Sequence, residues 1–195
     1  MLPIPRGVWA VASALESVEQ AQHWCRHAAH AAALSVRRCV GTDPQILNTL
    51  QVLTSHHPWC ALHGRGDLAE LVAAQAVIAG IRSLPVAAYR SRFPKLMVGA
   101  STHNKTEAQD AIAAGAHFLF YGPVWDTPEK HNILVPRGLH NLTEIVALGV
   151  PVIAIGGVQT AAQVMQVQAT GAHGVAVLRA ARSTPLLQQL LHAWE

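Results

Sequence analysis

An alternation constrains the fold of this chain more than any other feature. Eight short, nearly continuous apolar runs are separated by stretches rich in Ala, Gln, Leu and Glu with helical spacing. The runs are Val8–Ala12, Ala33–Val36, Trp59–Leu62, Ala76–Ile78, Leu96–Gly99, Phe118–Tyr121, Pro151–Ile155 and Gly174–Leu178. An apolar run without polar alternation is the pattern of a strand covered on both faces. The stretches between them are Leu15–Ala32, Pro44–Thr54, Leu68–Ala74, Leu84–Phe93, Lys105–Ala114, Leu139–Leu148, Ala161–Ala169 and Pro185–Trp194. Eight strand-then-helix units in 195 residues is about 24 residues each, short but workable for a (β/α)8 TIM barrel. The competing topology is an open doubly wound sheet, which needs fewer strands, and no Gly-x-Gly-x-x-Gly follows the first run. The expectation is an α/β protein, a (β/α)8 TIM barrel, with residues 1–195 as one compact domain.

Punctuation supports those boundaries. Thr42-Asp43-Pro44 reads as an N-cap followed by proline in the first turn. Gly115-Ala116-His117 and Gly171-Ala172-His173 each place glycine after a helix and before a strand, which suggests an internal repeat. The longest irregular stretch, Gly122–Arg137, follows the sixth run. A loop of that length in a compact barrel is usually a lid or a binding loop.

Composition excludes several classes of function. With 51% hydrophobic and 13% charged residues, the chain is not a disordered one. A net charge of +3, with no long Lys/Arg run, argues against nucleic acid and is compatible with a small anionic ligand. The cysteines Cys25, Cys39 and Cys60 form no Cys-x-x-Cys pair and read as reduced thiols. Twelve histidines invite a metal, but no His-Glu-x-x-His or His-x-His spacing occurs, so neither a metal nor another cofactor is expected. No apolar run reaches 18 residues and the N-terminal stretch is broken by prolines, so neither membrane span nor signal peptide is expected, and the expected location is the cytoplasm.

In such a barrel, function belongs at the C-terminal ends of the strands. Four places there carry chemistry. Gly156-Gly157, after the seventh run, lets backbone N–H groups approach a ligand, although the same pair also makes a plain tight turn. With Leu178-Arg179 at the end of the eighth run it forms the usual phosphate position of this fold. Tyr121–Lys130 brings Thr127, Glu129 and Lys130 close to a strand end, supplying a hydroxyl, a carboxylate and an ammonium. His63-Gly64-Arg65 follows the third run, and Ser101-Thr102-His103-Asn104 the fifth. A histidine there can exchange protons near neutral pH, while Ser101 to Glu107 reads equally as a helix cap. Arg37, after the second run, completes the set.

Taken together and in order, these motifs resemble the thiamine phosphate synthase/TenI superfamily. The matching pieces are Gly99-Ala100-Ser101-Thr102-His103, Gly122–Lys130, Gly138-Leu139, Pro151–Gly157 and Gly171–Val177, over roughly residues 60–180. Val36-Arg37-Arg38 stands where the family has a basic motif on its second strand. The resemblance implies a barrel that binds thiazole phosphate or thiamine phosphate through Thr127, Gly157, Leu178 and Arg179. The synthase branch uses Mg²⁺ to hold a pyrophosphate, with Asn-Asp-Arg after the third strand and His-x-Gly-Gln-x-Asp after the fourth. Here those positions read His63-Gly64-Arg65 and Ile78-Ala79-Gly80-Ile81-Arg82-Ser83, without either aspartate.

That departure resembles the TenI branch, and the leading expectation is a metal-independent thiazole tautomerase. The histidine that serves as acid/base in that branch is replaced by Pro123. The proton shuttle is then assigned to His103, His63 or Glu129, with Arg37, Arg65, Thr127, Lys130, Gly156, Gly157, Leu178 and Arg179 binding the phosphorylated substrate. The alternatives are a Mg²⁺-dependent thiamine phosphate synthase and a non-catalytic thiamine-phosphate-binding or regulatory homologue. The expected partners are the phosphorylated small molecule and, as an open possibility, a second copy in a homodimer.

Overall fold

The structure is a computed structural model that describes residues 2–128 and 135–195. Its strands are β1 (Gly7–Ala12), β2 (Ala33–Val36), β3 (Cys60–His63), β4 (Ala76–Ala79), β5 (Met97–Thr102), β6 (Phe118–Tyr121), β7 (Val152–Ile155) and β8 (Gly174–Val177). Each pairs in parallel with its neighbours in sequence, and β8 closes on β1 with Gly7 opposite Gly174. The helices are α1 (Val18–His27), α2 (Asp43–His56), α3 (Gly66–Leu71), α4 (Val86–Arg92), α5 (Lys105–Ala113), α6 (Gly138–Val146), α7 (Ala161–Ala169) and α8 (Thr184–Trp194). The (β/α)8 expectation therefore holds, and the open sheet is excluded by the closing pair.

The near-continuous apolar runs have two destinations because successive side chains point to opposite faces of the barrel wall. Trp9 and Val11 point inward with Trp59, Phe118, Phe120 and Ile153, forming an interior cluster. Val8, Ala10 and Ala12 point outward into the layer beneath the helices. Trp9 is the hub of the interior, with ring centroids 4.7 Å from Trp59, 5.6 Å from Phe118 and 5.4 Å from Phe120. The barrel is plugged at this level, so a ligand has access only above it.

Local signals set most boundaries. Gln45 accepts the Thr42 backbone N–H at 2.9 Å with proline in the first turn of α2, and Gln163 accepts that of Thr160 at 3.1 Å at the start of α7. In both Gly-Ala-His junctions the alanine is buried, and the histidine N–H reaches a strand carbonyl, His117 to Val98 and His173 to Val152, at 2.8 Å each. Two expectations need correction. The first helix does not span Leu15–Ala32: Leu15 pairs with Cys39 in an isolated bridge, Ser17 caps Gln20, and the helix stops at His27. Ser101 and Thr102 belong to β5 rather than to the loop after it, because β5 pairs with β6 as far as Thr102–Tyr121.

Candidate active site at the barrel mouth

Above the aromatic plug lies a cavity of about 140 Å³. Gly156 and Gly157 form one side, Leu178 and Arg179 the adjoining one, and Thr127 closes the rim from the loop after β6. The glycines are dictated by that loop as much as by any ligand. Gly156 and Gly157 have φ of +101° and +74°, and a Cβ on Gly157 would lie 2.6 Å from Trp125 Cβ. The loop packs here because the N–H groups of Val124 and Trp125 donate to the carbonyls of Ile155 and Gly156, at 3.0 and 3.1 Å. This leaves the N–H groups of Gly157 and Leu178 without an acceptor among the described residues. Thr127 is buried, and its N–H donates to Asp126 Oδ1 at 2.9 Å. These donors and the half-buried Arg179 suit an anion.

Two histidines face the same cavity in different electrostatic settings. His63 ends β3, with Nε2 2.7 Å from the Oγ of fully buried Ser35 and its ring edge-on to Phe120. Burial, helped by the Arg37 guanidinium, pushes its pKa down to about 3. It is therefore a neutral hydrogen-bonding group at ordinary pH. His103 sits just beyond β5, and its Nδ1 is 2.9 Å from Glu107 Oε2. Glu107 also accepts the His103 backbone N–H at 2.8 Å and an Asn104 Nδ2 proton at 2.6 Å. These bonds, from His103 first, hold the Glu107 carboxyl below its usual range against the opposing effect of burial. With Nδ1 engaged by a carboxylate, Nε2 is the nitrogen of His103 left for a ligand proton.

The cavity thus brings together Arg37, His63, His103, Thr127, Gly156, Gly157, Leu178 and Arg179 from the sequence reading. Arg65 stands apart. Its Nε and Nη2 grip Asp67, with a closest contact of 2.7 Å, beside a second cavity. Glu129 and Lys130 lie outside the described residues. Sequence reasoning missed Ser35 and the role of Glu107. Ser35 was hidden inside an apolar run, where inward alternation is its only signal. The helix-cap pattern from Ser101 to Glu107 masks that role, and Glu107 does serve a cap: Asn104 Oδ1 accepts its N–H at 2.9 Å. The Gly122–Pro123 stretch, Ser101 and Thr102 of β5, and the walls Phe120, Ile155 and Ala176 also line it.

A sequence model described as thiamine monophosphate synthase (TMP-TENI) matches residues 45–181. The chain belongs to that family. A thiamine-phosphate synthase of Caldivirga maquilingensis is 32% identical over 174 residues, covering 83% of this chain and 82% of that one. One of Chloroflexus aurantiacus is 36% identical over 120 residues, covering 61% of this chain but only 55% of its own length. Among solved structures, the thiamine phosphate pyrophosphorylase of Pyrococcus furiosus superposes with a TM-score of 0.81 at 24% identity, over 95% of both chains. The family match begins at residue 45, consistent with the weaker motif at Arg37–Arg38.

The Mg²⁺ associated with the synthase branch does not fit the residues present. The β3 end carries His63-Gly64-Arg65, and the turn after β4 carries Gly80-Ile81-Arg82. Among the described residues, no carboxylate lines the mouth cavity and no cluster of three His, Cys, Asp or Glu is able to hold a metal. Hard divalent cations require oxygen donors, whereas guanidinium groups repel them.

Proposed function

We propose that this chain binds a phosphorylated thiazole at the barrel mouth and joins it to a pyrimidine pyrophosphate, making thiamine phosphate. One observation carries the reading: the unclaimed N–H groups of Gly157 and Leu178 converge with Arg179 and Thr127 at one side of a cavity whose walls include apolar Phe120, Ile155 and Ala176. That pairing of a dianion cradle with an apolar wall matches a flat heteroaromatic ring carrying a phosphate. The names of the relatives favour synthesis over isomerisation. Neutral His63 would donate or accept one hydrogen bond to the bound ring, and Arg37 would supply positive charge across the mouth.

A second reading, metal-independent isomerisation of a carboxythiazole phosphate, is favoured by the His103–Glu107 pair. A carboxylate-held imidazole facing a ligand is a proton-transfer arrangement that needs no metal. One experiment separates the readings. The protein is incubated with thiazole phosphate plus the pyrimidine pyrophosphate, and separately with carboxythiazole phosphate, with Mg²⁺ or with EDTA, and products are identified by mass spectrometry. Thiamine phosphate together with released pyrophosphate is the expected result. Isomerised thiazole alone replaces it with the second reading, and tight thiamine phosphate binding without either product makes the chain a binder.

A further inference from the structure

The buried hydroxyl of Ser35 decides where the proton of His63 sits. Ser35 is fully buried in β2, and its Oγ lies 2.7 Å from His63 Nε2. The Ser35 side chain has no other hydrogen bond among the described residues. Either the hydroxyl donates to Nε2, or the imidazole N–H donates to the hydroxyl oxygen. In the second arrangement the serine proton has no acceptor, and a donor sealed from water without one is costly. In the first, every buried donor is used and only oxygen lone pairs stay unfilled. The first arrangement requires Nε2 to carry no proton. Burial and the Arg37 guanidinium keep the ring neutral, so its single proton sits on Nδ1. Nδ1 has no partner among the described residues, yet it is not one of the sealed, unpaired polar atoms, so it opens onto the cavity that His63 lines. Phe120, edge-on to the imidazole with ring centroids 5.8 Å apart, backs this orientation.

We propose that Ser35 is a positioning residue that fixes the tautomer of His63, so that the mouth presents a neutral Nδ1–H donor to the ligand. The proposal rests on the reading of the mouth as the substrate site and adds a rule of selectivity to it. A donor whose proton cannot move favours a ligand with an acceptor at that place, a ring nitrogen or an oxygen. It rejects a ligand with an N–H there, because two donors would face each other. The two histidines of the mouth thereby divide the work. His103 has its Nδ1 against the Glu107 carboxylate, which supports an imidazolium and hence proton exchange at Nε2. His63 has a hydroxyl in that place and no carboxylate among the described residues, so it orients a ligand without exchanging a proton with it.

The test reads the imidazole nitrogens of the whole ¹⁵N-labelled chain at pH 7 by two-bond ¹H–¹⁵N correlation, with His63 assigned by its loss in His63→Leu. A protonated Nδ1 and a bare Nε2 are expected, and Ser35→Ala should mix the two tautomers. Thiamine phosphate titrated by calorimetry should bind Ser35→Ala about threefold to tenfold more weakly than the parent chain. Ser35→Ala added to His63→Leu should cost no further affinity, because the serine acts only through the histidine. Inorganic phosphate, held at the β7 and β8 turns, should bind all these variants equally. A parent chain with the His63 proton on Nε2, or on both nitrogens, overturns the proposal. So does a Ser35→Ala variant with unchanged tautomer or unchanged thiamine phosphate affinity, and so do losses that simply add in the double variant. If the parent chain shows the assigned tautomer but binds no thiamine phosphate, the reading of the site falls and the tautomer assignment stands.

Discussion

A methyl group at Gly157 would lie 2.6 Å from Trp125 Cβ and 2.7 Å from the Asp126 carbonyl oxygen, on a backbone with φ of +74°. Left-handed backbone alone costs a non-glycine residue about 1–2 kcal/mol, and the contact adds to it. Gly157→Ala should lower the unfolding free energy by at least that amount and abolish phosphate binding, measured by urea denaturation and calorimetry on the same protein. His63 makes a different prediction. Its folded pKa, about 3, lies below the unfolded value of about 6.5. The unfolded chain therefore binds the extra proton, so the contribution of neutral His63 is complete above pH 6.5 and is lost as the pH falls toward 3. Buried His57 and half-buried His117 shift in the same direction, chiefly by desolvation. Stability should thus drop below pH 6.5 by up to about 1.4 kcal/mol per pH unit for His63. His63→Gln should flatten that slope in urea titrations at pH 5 and 7, and an unchanged slope would remove this residue from the account. Cys39, half-buried with its thiol pushed up to about 11 by burial, should alkylate with iodoacetamide far more slowly at pH 7.5 than a free thiol.

Among the elements, the start of α5 couples folding to the site. Asn104 caps the helix through the Glu107 N–H, and Glu107 returns bonds to Asn104 and to His103. Asn104→Ala should cost about 1 kcal/mol by loss of the cap, read as a shift in the urea midpoint. Glu107→Gln keeps the size of the side chain but removes the carboxylate. If His103 moves a proton, this variant should change the pH profile of turnover while leaving phosphate affinity in place. A shift in affinity alone would make Glu107 a helix cap and nothing more. The loop after β6 is also held by its neighbours. Val124 bonds to Ile155 on one side, and its carbonyl accepts the Gly138 N–H at the other, which fixes both roots of the stretch that carries Thr127.

At the scale of the whole molecule, the interior aromatic cluster divides the barrel into a sealed base and an open mouth. Trp9 touches three other rings there. Trp9→Ala should therefore cost about 3–5 kcal/mol, whereas Ile81→Ser, at a position 96% exposed, should leave thermal unfolding unchanged. A ligand that binds only the folded mouth stabilises the entire barrel. Inorganic phosphate at a hundred times its dissociation constant should add about 2.7 kcal/mol to the unfolding free energy, and raise the melting temperature accordingly.

The sequence alone determined the eight strand–helix units, because double-sided burial writes nearly uninterrupted apolar runs and helical spacing writes the cover between them. It also marked the strand ends at which Gly157, Leu178, Arg179 and His103 gather, since in this architecture position along the chain gives position around the ring. Only the tertiary structure decided which of those side chains meet. Whether Arg65 reaches the mouth depends on a local pairing with Asp67, and whether His63 carries charge depends on its burial against Phe120 of β6 and on Arg37 at the end of β2. Solvation and pairing arise from contacts across the barrel, and no linear pattern within one segment records them.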